Sequence, residues 1–264
     1  MTEGFHAVLI GVESYCDPEL GDIPSAAQDV LALEKVLGRH HSQEPHFEIT
    51  RKIVGRDSGW TASDLLALVH QKMQGSKHFL FYFSGHGVSG DFGLQLATPE
   101  KSSERDSGVY FSTLLHRFNQ ARCEVTVILD CCHSGAAADM SFDMVSSSLM
   151  FTNLRQGVTI LASSDREQDS YYDDEYLSHF TKFVVGCLSN ETNESTDIVD
   201  VYRWTRRELI QQIPVLRTFG SRFSPLRSKN EQAFSEDTST GLFPVEYVKN
   251  ASNRGGGNEA VIEA

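Results

Sequence analysis

The chain has 264 residues, enough for one large α/β domain or two small ones, and its 40% apolar and 22% charged content leaves little room for long disordered segments. A net charge of -13 disfavours nucleic acid and anionic membranes as partners and suits a cationic one. The first residues, MTEGFHAVLIGVESY, show no basic segment ahead of an apolar run, and no apolar stretch approaches the roughly 20 residues that span a bilayer, so a cytoplasmic protein is expected.

Short apolar runs predict five strands: HAVLIGV (6–12), FEITRKIV (47–54), HFLFYFS (78–84), VTVILD (125–130) and VTILASS (158–164). Their nearly unbroken Val, Ile, Leu and Phe content suits a sheet covered on both faces. Between them, helical spacing predicts helices over 25–40, capped by Ser25, and over 60–73, with Thr61 as cap, Asp64 three residues on, and Trp60 stapled against Leu65. Further helices are expected over 110–121, 176–188 and 197–213. Alternating strands and helices imply βαβ units and a mainly parallel sheet.

Two stretches interrupt the alternation. Residues 87–108 suit a small surface hairpin at 93–97 and a polar loop, and residues 134–157 are rich in small residues, as expected of a long loop. Five cysteines are an odd number, which fits free thiols better than a disulfide framework.

The third strand runs into YFSGHG (82–87) and the fourth into LDCCHSG (129–135). Ligands of open parallel sheets bind at the carboxyl ends of strands, so His86 and a cysteine would face one crevice. An imidazole beside a thiol favours the thiolate and can later protonate a leaving amine. Taken singly, a strand-end histidine is more often structural, and a buried cysteine is usually inert. Together, each in a Gly-Ser turn on consecutive strands, they point to chemistry.

The two motifs, 46 positions apart from His86 to Cys132, resemble those of the caspase-like cysteine peptidases. The match to Ser-Gly-His-Gly and Asp-x-Cys-x-Ser-Gly resembles metacaspases and the bacterial orthocaspases more than animal caspases. It takes in AVLIGVESYCDPELGDIPSAAQD (7–29) and YLSHFTKFVVGCL (176–188), and so covers roughly residues 5 to 215. The resemblance implies a caspase-like three-layer α/β/α sandwich. It further implies one peptidase domain over 1–250, made of a large-subunit-like part (1–135), a loop (136–157) and a small-subunit-like part (158–250), with a disordered tail at 251–264.

By the same resemblance His86 and Cys132 are the catalytic dyad, and Cys131 occupies the variable slot. Adjacent residues of an extended segment point opposite ways, so if Cys132 faces the crevice, Cys131 is core. Backbone N–H groups in the turn after Cys132, and that of Gly87, would serve the oxyanion. A backbone carbonyl could orient the imidazole. Metacaspase-like enzymes cut after Arg or Lys, and the matching pocket positions are Asp29, Ser84 and Asp130, with no arginine among them. Two carboxylates flanking a slot favour a basic side chain. The plainer readings are a solvated Asp29 in the first turn of a helix and Asp130 as a turn former.

The implied partners are therefore proteins or peptides with a basic residue before the scissile bond, acted on by a monomer. No cofactor is required and no metal site is expected. Several metacaspases depend on calcium, and Asp91, Glu104, Asp106 and Asp139 lie in suitable loops, but GVYFST stands where a paired Asp-Asp would precede the third helix. Arg155 is the only basic residue between His133 and Val158 and so the candidate autocleavage site, with Arg166 next. Rival readings are a catalytically inactive caspase-like interaction module, a peptidase cleaving after Asp, a metal or redox protein, and a nucleotide-binding domain. The last two lack their motifs, having neither C-x-x-C nor a Gly-rich phosphate loop.

Overall fold

Side chains alternate across a strand, so an uninterrupted apolar run is stable only where helices cover both faces of its sheet. That is the environment of β1 (Phe5–Val12), β3 (His78–Ser84), β7 (Glu124–Asp130) and β8 (Val158–Ala162), which are buried along almost their whole length. The computed structural model describes residues 4–90, 93–100, 108–131, 157–163, 177–210, 212–220 and 223–230. The long loop at 134–156, the acidic run at 165–176, the tail, Cys132, Arg155, Arg166, Asp91, Glu104, Asp106 and Asp139 lie outside the described residues.

The central sheet has six strands in the order β10-β8-β7-β3-β1-β2, where β2 is Glu48–Val54 and β10 is Val215–Phe219. Every pairing is parallel except that of β10 with β8. On one face, α2 (Ala62–Met73) and α3 (Phe111–Gln120) bury Phe79, Phe81 and Phe83. On the other, α1 (Ser25–Leu37), α4 (His179–Leu188) and α5 (Ile198–Glu208) bury Leu80, Tyr82 and Ile128. The result is the expected α/β/α sandwich with a mainly parallel sheet. Small antiparallel pieces decorate it: β4 (Gly87–Gly90), β5 (Gly93–Leu96) and β6 (Val109–Tyr110) form one sheet, and β9 (Ser195–Thr196) pairs with β11 (Arg227–Ser228).

Thr61 caps α2 in a full capping box with Asp64, and Trp60 packs on the core that holds Leu65. Three details depart from the sequence expectation. Helix α1 starts at a helical Pro24, so Ser25 falls inside the first turn and its hydroxyl makes no capping bond. Helix α5 stops at Glu208 rather than 213, because Leu209 turns extended and buries its side chain. The polar region after 86 is a three-stranded sheet, larger than a hairpin at 93–97.

Gly11 sits where α1 crosses β1. A Cβ there would lie 2.5 Å from the carbonyl oxygen of Ala26, so the missing side chain lets α1 settle onto the strand.

Candidate active site

Three strand ends stand side by side. Gly11 of β1 is the register partner of Ser84 in β3, and Ser84 is the partner of Asp130 in β7. Ser84 and Asp130 share the sheet face of Tyr82 and Ile128, toward α1 and α4. Cys131, one step on, is fully buried in the opposite core, among the side chains facing α2 and α3.

Asp29 projects from α1 onto the same strand ends. Ser84 Oγ donates to Asp29 Oδ2 at 2.9 Å and the Ser178 N–H donates to Oδ1 at 2.9 Å. Ser178, the N-cap of α4, donates its hydroxyl to Asp130 Oδ2, and Thr181 Oγ1 donates to the same oxygen at 2.7 Å. Since the Thr181 proton goes to Asp130, it is Tyr82 that donates along the 2.7 Å contact between Tyr82 Oη and Thr181 Oγ1. Asp130 Oδ1 has no hydrogen-bond partner among the described residues. Four donors from Ser84, Ser178 and Thr181 thus converge on two carboxyls, and Tyr82 stands behind one of them.

Both carboxyls are fully buried. Burial, reinforced by the Asp130 carboxyl, pushes Asp29 well above the usual carboxylate range, against the opposing bonds from Ser178 and Ser84. Burial likewise raises Asp130, again against its hydroxyl donors. Burial and the two acids together raise Tyr82. Among the described residues no lysine, arginine or histidine forms an ion pair with either acid. Two like charges taken out of water with no ion-pair partner among the described residues are strongly unfavourable, so both carboxyls ionise there only at a high cost.

His86 follows the same strand end. Its Nε2 lies 2.8 Å from the Gly21 carbonyl oxygen, and its backbone N–H donates to Tyr15 Oη at 2.7 Å. The Tyr15 and His86 rings lie 5.0 Å apart, tilted by 49°. Tyr15 is buried, and its hydroxyl donates to the Val12 carbonyl at 3.3 Å. Gly85 is needed here, because a Cβ would come within 2.8 Å of Tyr15 Oη and 3.0 Å of the Phe83 ring. The loop from 13 to 24 therefore grips His86 at two points. It is itself tied down by Glu13 N–H to Val54 O, Cys16 N–H to Pro99 O, and the Arg56–Asp22 ion pair.

Ala97 N–H donates to His86 O at 3.0 Å, and Gly87 pairs with Leu96. By the alternation of an antiparallel ladder, Gly87 is then a non-hydrogen-bonded pair and its N–H points away from β5.

Of the residues singled out from sequence, Asp29, Ser84 and Asp130 come together, and His86 and Gly87 occupy the neighbouring turn. Cys132 and Arg155 lie outside the described residues. Sequence reasoning missed Tyr15, Ser178 and Thr181. Ser178 and Thr181 carry the Ser-x-x-Thr spacing of a helix cap, which marks a helix start without revealing what the hydroxyls face.

The caspase domain family model matches residues 5–224. The fold is similar to that of GSU0716 from Geobacter sulfurreducens, with a TM-score of 0.59, 14% identity, and coverage of 82% of this chain and 94% of that one. It is also similar to caspase-1 from Spodoptera frugiperda, with a TM-score of 0.62, 13% identity, and coverage of 86% and 93%. No curated protein matches the sequence.

Proposed function

The chain belongs to the caspase domain family, and from that membership we propose that it is a cysteine endopeptidase cleaving peptide bonds after Arg or Lys. His86 and Cys132 form the dyad. The imidazole takes the thiol proton, the Cys132 sulfur attacks the scissile carbonyl carbon, and the imidazolium returns the proton to the leaving amine. Water then hydrolyses the thioester, activated by the same imidazole. Backbone N–H groups of Gly87 and Cys132 stabilise the oxyanion of each tetrahedral intermediate. The chemistry needs no cofactor.

The observation that carries the specificity is the buried Asp29–Asp130 pair with no cation among the described residues. An arginine or lysine side chain entering beside it would supply the missing charge, with Ser84 completing the slot. A pocket for Asp would need the opposite polarity. The peptide bond after Arg155 is the candidate for self-cleavage between the two halves of the domain.

Fluorogenic peptides ending in Arg, Lys or Asp test the proposal, with Cys132→Ala as control. Hydrolysis of the Arg and Lys peptides alone is expected, and it should vanish in the variant. Cleavage after Asp alone overturns the pocket, and loss of activity in Cys131→Ala but not in Cys132→Ala overturns the nucleophile. Unchanged fragments from an Arg155→Ala protein would remove that bond as the processing site.

A further inference from the structure

The proposed pocket contains two carboxyls and no counter-ion among the described residues, so its state before substrate arrives is a chemical question in its own right. The groups facing the pair come from every neighbouring element. Helix α1 supplies Asp29, β3 supplies Tyr82 and Ser84, β7 supplies Asp130, the residue after β8 is Ser163, and α4 supplies Ser178 and Thr181. All the neutral members are hydroxyls or a backbone amide. Hydroxyls and amides can share a negative charge, but none of them carries a positive one.

The donors are also distributed unevenly. Each Asp29 oxygen receives a bond, from Ser84 and from Ser178. In Asp130, Oδ2 receives two, from Ser178 and Thr181, and the Thr181 backbone N–H and the Ser163 hydroxyl also favour the charged form, while Oδ1 has no partner at hydrogen-bond geometry among the described residues. A carboxylate buried with one oxygen bare is unfavourable, whereas a carboxylic acid can place its proton there. Like carboxyls sharing one dry site do not both ionise readily, and the first proton belongs to the pair rather than to either residue.

Resting on the reading of this site as the slot for a basic side chain, we propose that the empty pocket holds one proton on the Asp29–Asp130 pair and that a substrate's cationic side chain enters in exchange for it. Binding is then a one-for-one swap of cations. The proton leaves to buffer as the guanidinium or ammonium group takes its place beside the carboxylates, and the charge of the pocket stays constant. Selectivity acquires a pH dependence located in KM. Below the upper pKa of the pair, KM for Arg or Lys peptides rises about tenfold for each unit of falling pH, while kcat, read with the pocket occupied, is free of this dependence.

Titration calorimetry with butylguanidine as the probe tests the exchange. This cation stays charged across the neutral range and has no scissile bond. Full-length Cys132→Ala protein removes the thiol as a proton source. Heats measured in phosphate and in Tris differ by the proton count multiplied by the difference in buffer ionisation enthalpy. About one proton released per butylguanidine bound near neutral pH is expected. In Cys132→Ala protein that also carries Asp130→Asn, binding should weaken and the count should fall below one, because the remaining acid no longer shares its proton with a second carboxyl. Binding with no proton release in the parent protein overturns the exchange and leaves the basic pocket standing. Absence of binding, with no cleavage of Arg peptides by the unmutated enzyme, overturns both. An unchanged proton count in the Asp130→Asn protein assigns the proton elsewhere and also overturns the exchange.

Discussion

The imidazole of His86 holds its Nε2 2.8 Å from the carbonyl oxygen of Gly21. A carbonyl can only accept, so in the neutral ring Nε2 carries the proton and Nδ1 is bare, ready to receive another. As the proposed base, His86 therefore has a fixed tautomer and a fixed orientation, both supplied by a main-chain atom that no side-chain substitution removes. Replacing the ring, as in His86→Gln, should lower kcat by about 100- to 10,000-fold without moving the melting temperature, measured on an Arg peptide at saturating substrate.

Tyr15 bears on the same ring through the backbone, accepting the His86 N–H. Tyr15→Phe leaves that amide without its acceptor, and the expected result is a lower kcat at nearly constant KM, with a loss of about 1–3 kcal/mol in urea unfolding. Gly85→Ala forces a methyl to within 2.8 Å of the Tyr15 hydroxyl. The two changes share a contact, so a double-mutant cycle should be non-additive, with Gly85→Ala costing less in the Tyr15→Phe background.

For Asp130→Asn, activity and stability should move in different directions. The amide cannot pair with a basic side chain, and KM for Arg and Lys peptides should rise by about 2–5 kcal/mol in binding terms. The fold is relieved of one member of a buried carboxyl pair that has no ion-pair partner among the described residues, so the denaturation midpoint near pH 7 should hold or rise. A variant that loses both binding and stability would indicate that the carboxylate is a structural anchor.

Far from the site, His46 and His78 are buried beside Phe5 and Phe47, and burial lowers both to about 3 from 6.5. Below pH 6.5 the unfolded chain binds protons that the fold refuses, so this contribution to stability is present above the unfolded pKa and drains away as pH falls toward 3. Asp29 and Asp130 pull the opposite way, because a raised carboxyl holds its proton more tightly in the fold. Comparison with a variant separates the two effects. Relative to the parent, His78→Gln protein should gain about 1.4 kcal/mol per pH unit between about pH 6 and pH 4 in urea unfolding. A pH-independent difference would mean that His78 titrates alike in both states.

The strands were legible because apolar runs have few other uses in a chain of this composition. VTVILD and HFLFYFS coincide with β7 and β3 to within a residue. Asp29, Ser84 and Asp130 were recognisable by their likeness to known motifs, since nothing in their spacing of 55 and 46 positions brings them together without the sheet register. Ser178 and Thr181 escaped because a capping pattern is satisfied by its own helix, and only the tertiary approach of α4 reveals that the same hydroxyls reach Asp130. The edge strand β10 was hidden behind Pro214: VLRTF is short and half-exposed, and the helical spacing before it extended too far.

Gly11 gives the molecule an adjustment screw. The hydrogen atom it carries in place of a side chain determines how low α1 rides on β1, and Asp29 is one turn along that helix from the contact with Ala26. A methyl at 11 would lift the helix and draw Asp29 away from Ser84, while the preceding loop, from which Gly21 and Tyr15 reach His86, keeps its anchors to Val54 and Pro99 through Glu13 and Cys16. With Asp29 in the proposed specificity pocket, preference for the residue before the cut becomes tunable from beneath the pocket floor, by a position outside the hydrogen bonds that hold the imidazole.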